Sequence, residues 1–286
     1  MARFFDRRPR RPPTLAALGL LVLGGCPMQG GTGTDAGIDP DTGQPADSQI
    51  RLAHFTAGAP GFDVCLKGPS DPDFTGPIVR AKANRPGGVP YANVSAYMAV
   101  APAAYTARVV PGTATNCAVS LGSLPDITVQ ALTGGHHYTV AGIGQLSNPA
   151  TIKFSILEDD LTPQAGKARW RFIHGAPGRA GLELGSGAAG TYARLFNAPT
   201  YAAVGDAGGS PYLASAPQSL ATNSLRDSGG GTDLLTLMNK VTLNAGSVYT
   251  ATAIGIVGNS FSPFELSLCD DTAAAASGLS SCQEIR

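Results

Sequence analysis

The chain has 286 residues, enough for about two domains, and carries equal numbers of basic and acidic residues. Hydrophobic residues make up 43% and charged residues only 14%, with 37 glycines and 22 prolines. Long amphipathic helices need more charge and tolerate fewer glycines and prolines, so the composition predicts short strands joined by many turns. It indicates no basic surface, which argues against a nucleic-acid partner.

Residues 1–25 have the pattern of an export signal. Five arginines near the N-terminus precede the apolar run 15–23, which is too short to span a bilayer comfortably. The sequence LGGC at 23–26 resembles the bacterial lipobox, in which the cysteine, here Cys26, receives lipid and becomes the first mature residue. The alternative is an ordinary signal peptide with an incidental cysteine. Pro27 resembles the residue of lipoproteins that are not retained at the inner membrane, so the prediction is lipid anchoring in the cell envelope, at the outer membrane of a Gram-negative cell.

Residues 26–48 are predicted to be a lipidated cysteine followed by a flexible tether. They are rich in Gly, Thr, Asp, Pro and Gln, with too few apolar residues to bury a core. Signal cleavage would remove five arginines and one aspartate, which leaves 15 basic and 19 acidic residues and a net charge near −4.

Between residues 49 and 160, seven or eight short strand-like runs alternate with turns, which predicts a β-sandwich. The pair Gly134-Gly135 is typical of a hairpin turn. The strand-like runs are 50–55, 62–66, 89–100, 105–110, 127–132, 137–140 and 151–157.

The chain also repeats itself. Residues 132–144 align without gaps on 243–255, RLAH at 51–54 matches RFIH at 171–174, and LEDD at 157–160 matches LCDD at 268–271. The sequence therefore predicts two tandem β-sandwich domains, at 49–162 and at 168–286 with a C-terminal tail.

Four further cysteines remain after Cys26, an even number in an exported, oxidising setting. Cys65, Cys117, Cys269 and Cys282 allow three pairings. The pairs Cys65–Cys117 and Cys269–Cys282 are favoured because each then stays inside one repeat. No C-x-x-C occurs and no cysteine lies close to a histidine, so no metal site is predicted from them.

The openings IRLAH at 50–54 and WRFIH at 170–174 each precede a proline-containing turn and a strand with an acidic residue, Asp63 or Glu183. This pattern resembles a bacterial extracytoplasmic family that is catalogued as domain of unknown function 4397. The resemblance implies an all-β, immunoglobulin-like module that is secreted or lipid-anchored. It implies no activity, since none is defined for the family.

His54 and His174 occupy equivalent positions at the ends of these strands. One interpretation is a ligand or metal contact in each repeat. The other is a half-buried histidine whose ring bonds a carbonyl or the carboxylate of Asp63 or Glu183 and shapes the turn.

Paired acids close each repeat, as Asp159-Asp160 and Asp270-Asp271. Calcium at a domain joint would need six to eight oxygens, to which these acids could contribute. The alternative is a solvated, charged strand end. With His174, Asp159 and Asp160 lie nearest to the predicted joint, so they are candidate contacts to a ligand or to the other domain.

No other pattern supports catalysis. His136 and His137 are neighbours on a strand and point to opposite faces. GSGAAG at 185–190 lacks the following helix of a dinucleotide site, so it is interpreted as a turn. No G-x-S-x-G occurs.

We expect no catalytic residue, metal or cofactor, and a non-enzymatic binding, adhesion or structural role with a protein or polysaccharide partner in the envelope. The alternative is a hydrolase that acts on an envelope or extracellular polymer.

Overall fold

The computed structural model describes residues 45–188, 190–237 and 241–286. The predicted signal peptide, Cys26 and the tether up to residue 44 lie outside these ranges. Within them the chain is nearly all β and forms several sheets, which confirms the predicted all-β sandwich class. The described part of the chain contains no helix with the length and apolar character needed to cross a membrane.

The N-terminal half, defined here as residues 45–162, has eight strands, one short helix and a 3₁₀ turn at Leu121–Ser123. The elements are β1 (Ser48–Ala57), β2 (Phe62–Lys67), α1 (Ile78–Lys82), β3 (Asn93–Val94), β4 (Met98–Val100), β5 (Tyr105–Pro111), β6 (Ile127–Val129), β7 (His137–Gln145) and β8 (Asn148–Glu158).

Two sheets of this half face each other. In one, β1 lies between the short strands β3 and β4 and the parallel strand β7, and β8 follows β7 as the last strand. The other has the order β2-β5-β6. Alternate residues of the strands, among them Leu52, Val64, Val109 and Val140, meet in one apolar core.

In the C-terminal half, residues 168–286, the described segments 168–188, 190–237 and 241–286 form eleven strands in three sheets. They are β9 (Ala168–His174), β10 (Leu182–Ser186), β11 (Ala193–Arg194), β12 (Leu213–Ser215), β13 (Gln218–Ser219), β14 (Asn223–Asp227), β15 (Asp233–Thr236), β16 (Thr242–Leu243), β17 (Val248–Ile254), β18 (Glu265–Asp270) and β19 (Ser281–Ile285).

Strand pairing in the C-terminal half follows that of the N-terminal half. Strand β9 runs parallel to β17, and β18 is antiparallel to β17, as β1, β7 and β8 are arranged in the first sheet. Arg51 lies beside Thr139 and Arg171 beside Thr250 in the same register. One difference is that β18 pairs with a further strand, β19, whereas β8 ends its sheet.

The sheet that contains β1 and the sheet that contains β9 pack against each other. Residues with even numbers on β1 and β7 face the first core, so the alternating odd-numbered residues face the other way. Phe55 and Ile143 on that face join Ile254 and Cys269 of the C-terminal half in a shared apolar cluster. The two halves therefore share a buried interface.

Several local predictions are wrong. The Gly134-Gly135 turn is not a hairpin, because β6 pairs with β5 and β7 pairs with β1, so the turn connects two sheets. The run 89–100 is broken into β3 and β4. Helix α1 was not predicted, since its five residues make less than two turns and are too few to show a sustained helical periodicity.

Both disulfides are present in the favoured pairing. Cys65 bonds Cys117, and Cys269 bonds Cys282. The second bridge joins β18 to β19, whose residues Cys269 and Cys282 lie directly opposite each other.

Candidate functional site: a buried arginine–aspartate cluster

Two arginines on apolar strands point into the interface between the halves. Arg51 on β1 and Arg171 on β9 are both almost completely buried. The Arg51 Nε donates to Thr139 Oγ1 at 2.8 Å, and the Arg171 Nε donates to Thr250 Oγ1 at 3.0 Å. A buried guanidinium needs hydrogen-bond and charge partners, because burial of an unpaired charge is very costly.

Two aspartates supply these partners. Asp159 follows β8 and Asp271 follows β18, and they are only 5% and 6% exposed. Each accepts a hydrogen bond at Oδ2 from the threonine of its own half, at 2.6 Å from Thr139 and at 2.6 Å from Thr250. Each half therefore contributes the same arginine, threonine and aspartate set.

The ion pairs cross from one half to the other. Arg51 Nη2 lies 2.8 Å from Asp271 Oδ1, and Arg171 Nη2 donates to Asp159 Oδ1. Within the N-terminal half, Arg51 Nε is 3.5 Å from Asp159 Oδ2. Two arginines and two aspartates thus form one connected cluster in which the formal charges are matched. We call these four residues the arginine–aspartate cluster.

Aromatic rings complete the cluster with the same approximate symmetry. The Arg51 guanidinium lies 4.7 Å from the ring centre of Tyr97, and that of Arg171 lies 5.4 Å from the ring centre of Tyr212. Tyr97 precedes β4 and Tyr212 precedes β12, which pair with β1 and β9 in the same register. The Tyr97 hydroxyl donates to Asp159 Oδ2 at 2.7 Å.

The two aspartates differ in electrostatic environment. Burial disfavours the charge of Asp159, but Arg171 and Arg51 outweigh it and its pKa is lowered. Burial dominates at Asp271, and its pKa is raised in spite of Arg51. The hydroxyl of Tyr212 finds no hydrogen-bond partner among the described residues, so Asp271 lacks the donor that Tyr97 gives Asp159.

The interpretation of the acids as solvated strand ends is wrong for Asp159 and Asp271. The structural register also shifts the repeat alignment by one residue. Tyr138 pairs with Glu158 and Tyr249 pairs with Asp270, so Asp159 corresponds to Asp271 and not to Asp270. Calcium does not fit at Asp159, because arginine, threonine and tyrosine already engage both carboxylate oxygens.

Asp160 lies outside the cluster and is exposed. Its carboxylate accepts from Arg169 Nη2 at 2.6 Å and from the Thr162 amide at 3.0 Å, and the Arg169 hydrogen bond lowers its pKa. Asp160 therefore secures the connection that leads from β8 to β9. This connection and His136 border an open surface groove of about 520 Å³.

His54 is enclosed in the N-terminal half, with an exposed fraction of 0%. Its Nε2 lies 2.9 Å from the Pro60 carbonyl oxygen, and its Nδ1 accepts from the Thr56 amide at 3.3 Å. These partners fix the neutral tautomer with the proton on Nε2. Burial lowers the pKa of the imidazole to about 4, in spite of the carbonyl bond.

His174 has the corresponding place in the C-terminal half, at the end of β9. Its Nε2 lies 3.2 Å from the Arg179 carbonyl oxygen, and burial lowers its pKa to about 4. The carbonyl contact fits the structural interpretation, but the alternative carboxylate contact does not occur. Asp63 instead accepts from the amides of Val64, Val79 and Arg80, so it caps α1.

The two histidines are not brought together with the arginine–aspartate cluster. They lie on even-numbered positions that face the two cores, whereas Arg51 and Arg171 face the interface. His136 is half-exposed and lies 2.7 Å from Glu158 through Nδ1 and Oε1. Among the described residues, no three His, Cys, Asp or Glu side chains are grouped so that they could hold a metal ion.

The glycine-rich segment near residue 187 connects two paired strands. Gly185 and Ser186 on β10 pair with Arg194 and Ala193 on β11, so a strand follows instead of the helix that a dinucleotide site requires. Ala189 of this segment lies outside the described residues.

A second pair of matching contacts between the halves is not predicted from the sequence. The loops that carry Tyr91-Ala92 and Tyr201-Ala202 each cross to the other half, where Ser267 Oγ donates to the Ala92 carbonyl at 3.2 Å and Ser155 Oγ donates to the Ala202 carbonyl at 3.1 Å. Both alanines have positive φ, 62° and 71°. The matching sequences YANV at 91–94 and YAAV at 201–204 were the available signal.

The arginines carried a signal as well. Strands β1 and β9 each place an arginine inside an otherwise apolar run, where a charge is rarely buried unless it is paired. The sequence identified Arg51 and Arg171 as equivalent but did not show which acids they meet.

One family model matches the N-terminal half of the fold and the first strands of the C-terminal half. Residues 48–184 match the family model DUF4397, a domain of unknown function. The match begins at β1 and ends inside β10, so it includes Arg51, Asp159 and Arg171 and stops before Asp271. The predicted resemblance is therefore confirmed for residues 48–184 and stays a prediction for the remainder. No curated protein matches the chain.

Proposed function

We propose that the protein is a lipid-anchored envelope protein with a non-enzymatic binding, adhesion or structural role. The observation that carries this proposal is the buried arginine–aspartate cluster. Its formal charges are matched, its members are buried, and its ion pairs join the two sheets. A hydrolytic centre would instead present acid, base or nucleophile at a cleft that a polymer can enter.

The histidines support the same proposal. His54 and His174 are enclosed in apolar cores, and burial disfavours their protonated forms. A general base must reach the proton that it removes, which an enclosed ring does not do. Open grooves and loops remain for partner contact, among them the loop that bears Phe261, whose side chain is 95% exposed.

The tandem organisation is part of the proposal. Two copies of one module at 49–162 and 168–286 would explain why the pairings of β1, β7 and β8 recur in β9, β17 and β18. They would also explain why equivalent arginines and aspartates exchange partners across the interface. Joined in this way, the two copies would act as one rigid body at the end of a tether.

Affinity capture from envelope extract tests the role. The bait is the lipid-free fragment Gln49–Arg286, and its matched control is the same fragment with Phe261→Ser, which changes the exposed loop but not the cores. We expect recovery of a protein or polysaccharide partner. Failure to recover one, together with turnover of an envelope polymer by the fragment, would overturn the proposal in favour of a hydrolase.

Anchoring is tested by Cys26→Ala. The substitution removes the acceptor of the lipid, so we expect the protein to move from the membrane to the soluble fraction, with an outer-membrane location for the unsubstituted protein. Continued membrane association of the variant would contradict lipidation at this residue.

A further inference from the structure

Strand β8 ends its sheet, whereas its counterpart β18 does not. The amide of Asp159, the residue after β8, donates to the His137 carbonyl. Because backbone direction alternates along a strand, the odd-numbered residues 153, 155 and 157 of β8 also direct their amide and carbonyl groups toward β7. Phe154, Ile156 and Glu158 therefore direct theirs outward. Among the described residues, β8 pairs with no strand other than β7.

The C-terminal half shows what such an edge can hold. The Asp271 amide donates to the Val248 carbonyl, so Leu266 and Leu268 of β18 direct their backbone groups away from β17. There they pair with β19, where Leu266 lies opposite Ile285. By register Phe154 and Ile156 are the counterparts of Leu266 and Leu268.

Because no strand corresponding to β19 lies beside β8 among the described residues, apolar side chains of β8 are only partly covered. Leu266 and Leu268 are buried beneath β19, with exposed fractions of 0% and 4%. Phe154 and Ile156 are only partly buried. Beside Ile156, a groove of about 230 Å³ opens between β8 and the segment that follows β6.

We propose that the edge of β8 pairs antiparallel with β8 of a second copy of this chain. Opposed residues must lie on the same face of a sheet, so their numbers must have the same parity. A two-fold axis at Ser155 places Phe154 of one copy opposite Ile156 of the other, and Ile152 opposite Glu158. Phe154 and Ile156, whose backbone groups point away from β7, then each lie opposite an apolar residue of the second copy.

The sequence of β8 suits this occupant better than the tether does. Residues 152–158 contain three apolar strand formers at 152, 154 and 156 and one charge of each sign, Lys153 and Glu158. Residues 27–44 are rich in Gly, Asp and Pro, which are depleted in strands. Proline and lysine commonly protect edges, but Pro149 lies outside the paired register and Lys153 projects from the odd-numbered face.

Cysteine trapping in the full chain tests the register. Ser155→Cys gives up the hydrogen bond to the Ala202 carbonyl and brings two thiols directly opposite each other across the axis, at a separation that a disulfide can span. Lys153→Cys is the matched control, because residue 153 of one copy would lie opposite Leu157 of the other. We expect a dimer on non-reducing gels of cells with Ser155→Cys, and only monomer with Lys153→Cys or the unsubstituted chain.

The double variant Lys153→Cys with Leu157→Cys should restore the dimer. Ile152→Pro in the Ser155→Cys background should remove most of it, because proline removes an outward amide that β7 does not use. A dimer band of equal strength for Ser155→Cys and Lys153→Cys, or none for either, would overturn the proposal. A band that persists with Ile152→Pro would do so as well.

Discussion

The charges of Arg51 and Arg171 are stabilised by carboxylates that are distant in sequence and reach them only through the fold. Each lies on a strand whose neighbours are apolar, and each would be costly there alone. Burial opposes the charge of Arg51, but Asp271 and Asp159 outweigh it, and the pKa of its guanidinium is raised. Because a buried pair contributes strongly only while it is complete, removal of one member should cost more than the pair itself contributes.

Asp159→Ala should lower the free energy of unfolding by about 3–5 kcal/mol, because it leaves Arg171 and Arg51 without their shared carboxylate. Chemical denaturation of the lipid-free protein measures the change. The matched control is Asp126→Ala, which breaks the partly exposed Arg108–Asp126 pair, at 2.8 Å, and should lower the free energy of unfolding far less, because solvent screens this pair. Equal losses for the two variants would contradict a stabilising role of the cluster.

The enclosed histidines predict acid sensitivity. Burial lowers the pKa of His54 from 6.5 to about 4, so between these pH values the unfolded chain binds a proton that the folded chain does not. The contribution of the neutral His54 ring to the free energy of unfolding is therefore complete above pH 6.5. It decreases by about 3 kcal/mol as the pH falls toward 4. His174 adds a loss of the same sign.

Denaturation midpoints between pH 7 and pH 4 should reveal this slope. His54→Gln removes the titrating group, so the variant should be less stable at pH 7 but lose less on acidification. His54→Gln with His174→Gln should be flatter still. An unchanged slope in the double variant would show that other groups cause the acid sensitivity.

At the scale of elements, alternation and turn residues predicted most strands of the N-terminal half. Strands β1, β2 and β5 lie at the predicted runs 50–55, 62–66 and 105–110. Elements that depend on a distant partner were missed, such as α1, whose amides are held by Asp63 from β2. The Gly134-Gly135 turn was misassigned because a sequence does not show which sheet the next strand joins.

The two disulfides should differ in their contribution to stability. Cys65–Cys117 closes a loop of 52 residues and Cys269–Cys282 one of 13. Loop-closure entropy in the unfolded chain predicts losses of about 4 and about 3 kcal/mol on their removal. Melting of the paired variants Cys65→Ser with Cys117→Ser and Cys269→Ser with Cys282→Ser measures both. A much larger loss for the second pair would indicate that β19 depends on its bridge.

At the scale of the whole molecule, the interface joins two apolar cores into one structure. An apolar cluster that includes Phe55, Ile143 and Ile254 surrounds contacts made by polar groups. The serine bonds to the Ala92 and Ala202 carbonyls add a reciprocal connection at another part of the same interface. Separating the halves would break the Arg51–Asp271 and Arg171–Asp159 ion pairs, so each half would be left with charges that have lost their partners.

We therefore expect a single cooperative thermal transition for the lipid-free protein. Asp159→Ala with Asp271→Ala should weaken the coupling between the halves and divide the transition into two. Differential scanning calorimetry distinguishes these outcomes. Two resolved transitions in the unsubstituted protein would mean that the interface does not couple the halves.

The sequence by itself determined the strand-rich class, the candidate cysteine pairs and the equivalence of Arg51 with Arg171, because alternation, turn chemistry and repetition are local properties. Only the tertiary structure decided that Asp159 and Asp271 are buried and that each meets the arginine of the other half. Those contacts depend on how two sheets face each other. A strand pattern shows that a residue lies on one face or the other, but only packing shows what that face meets.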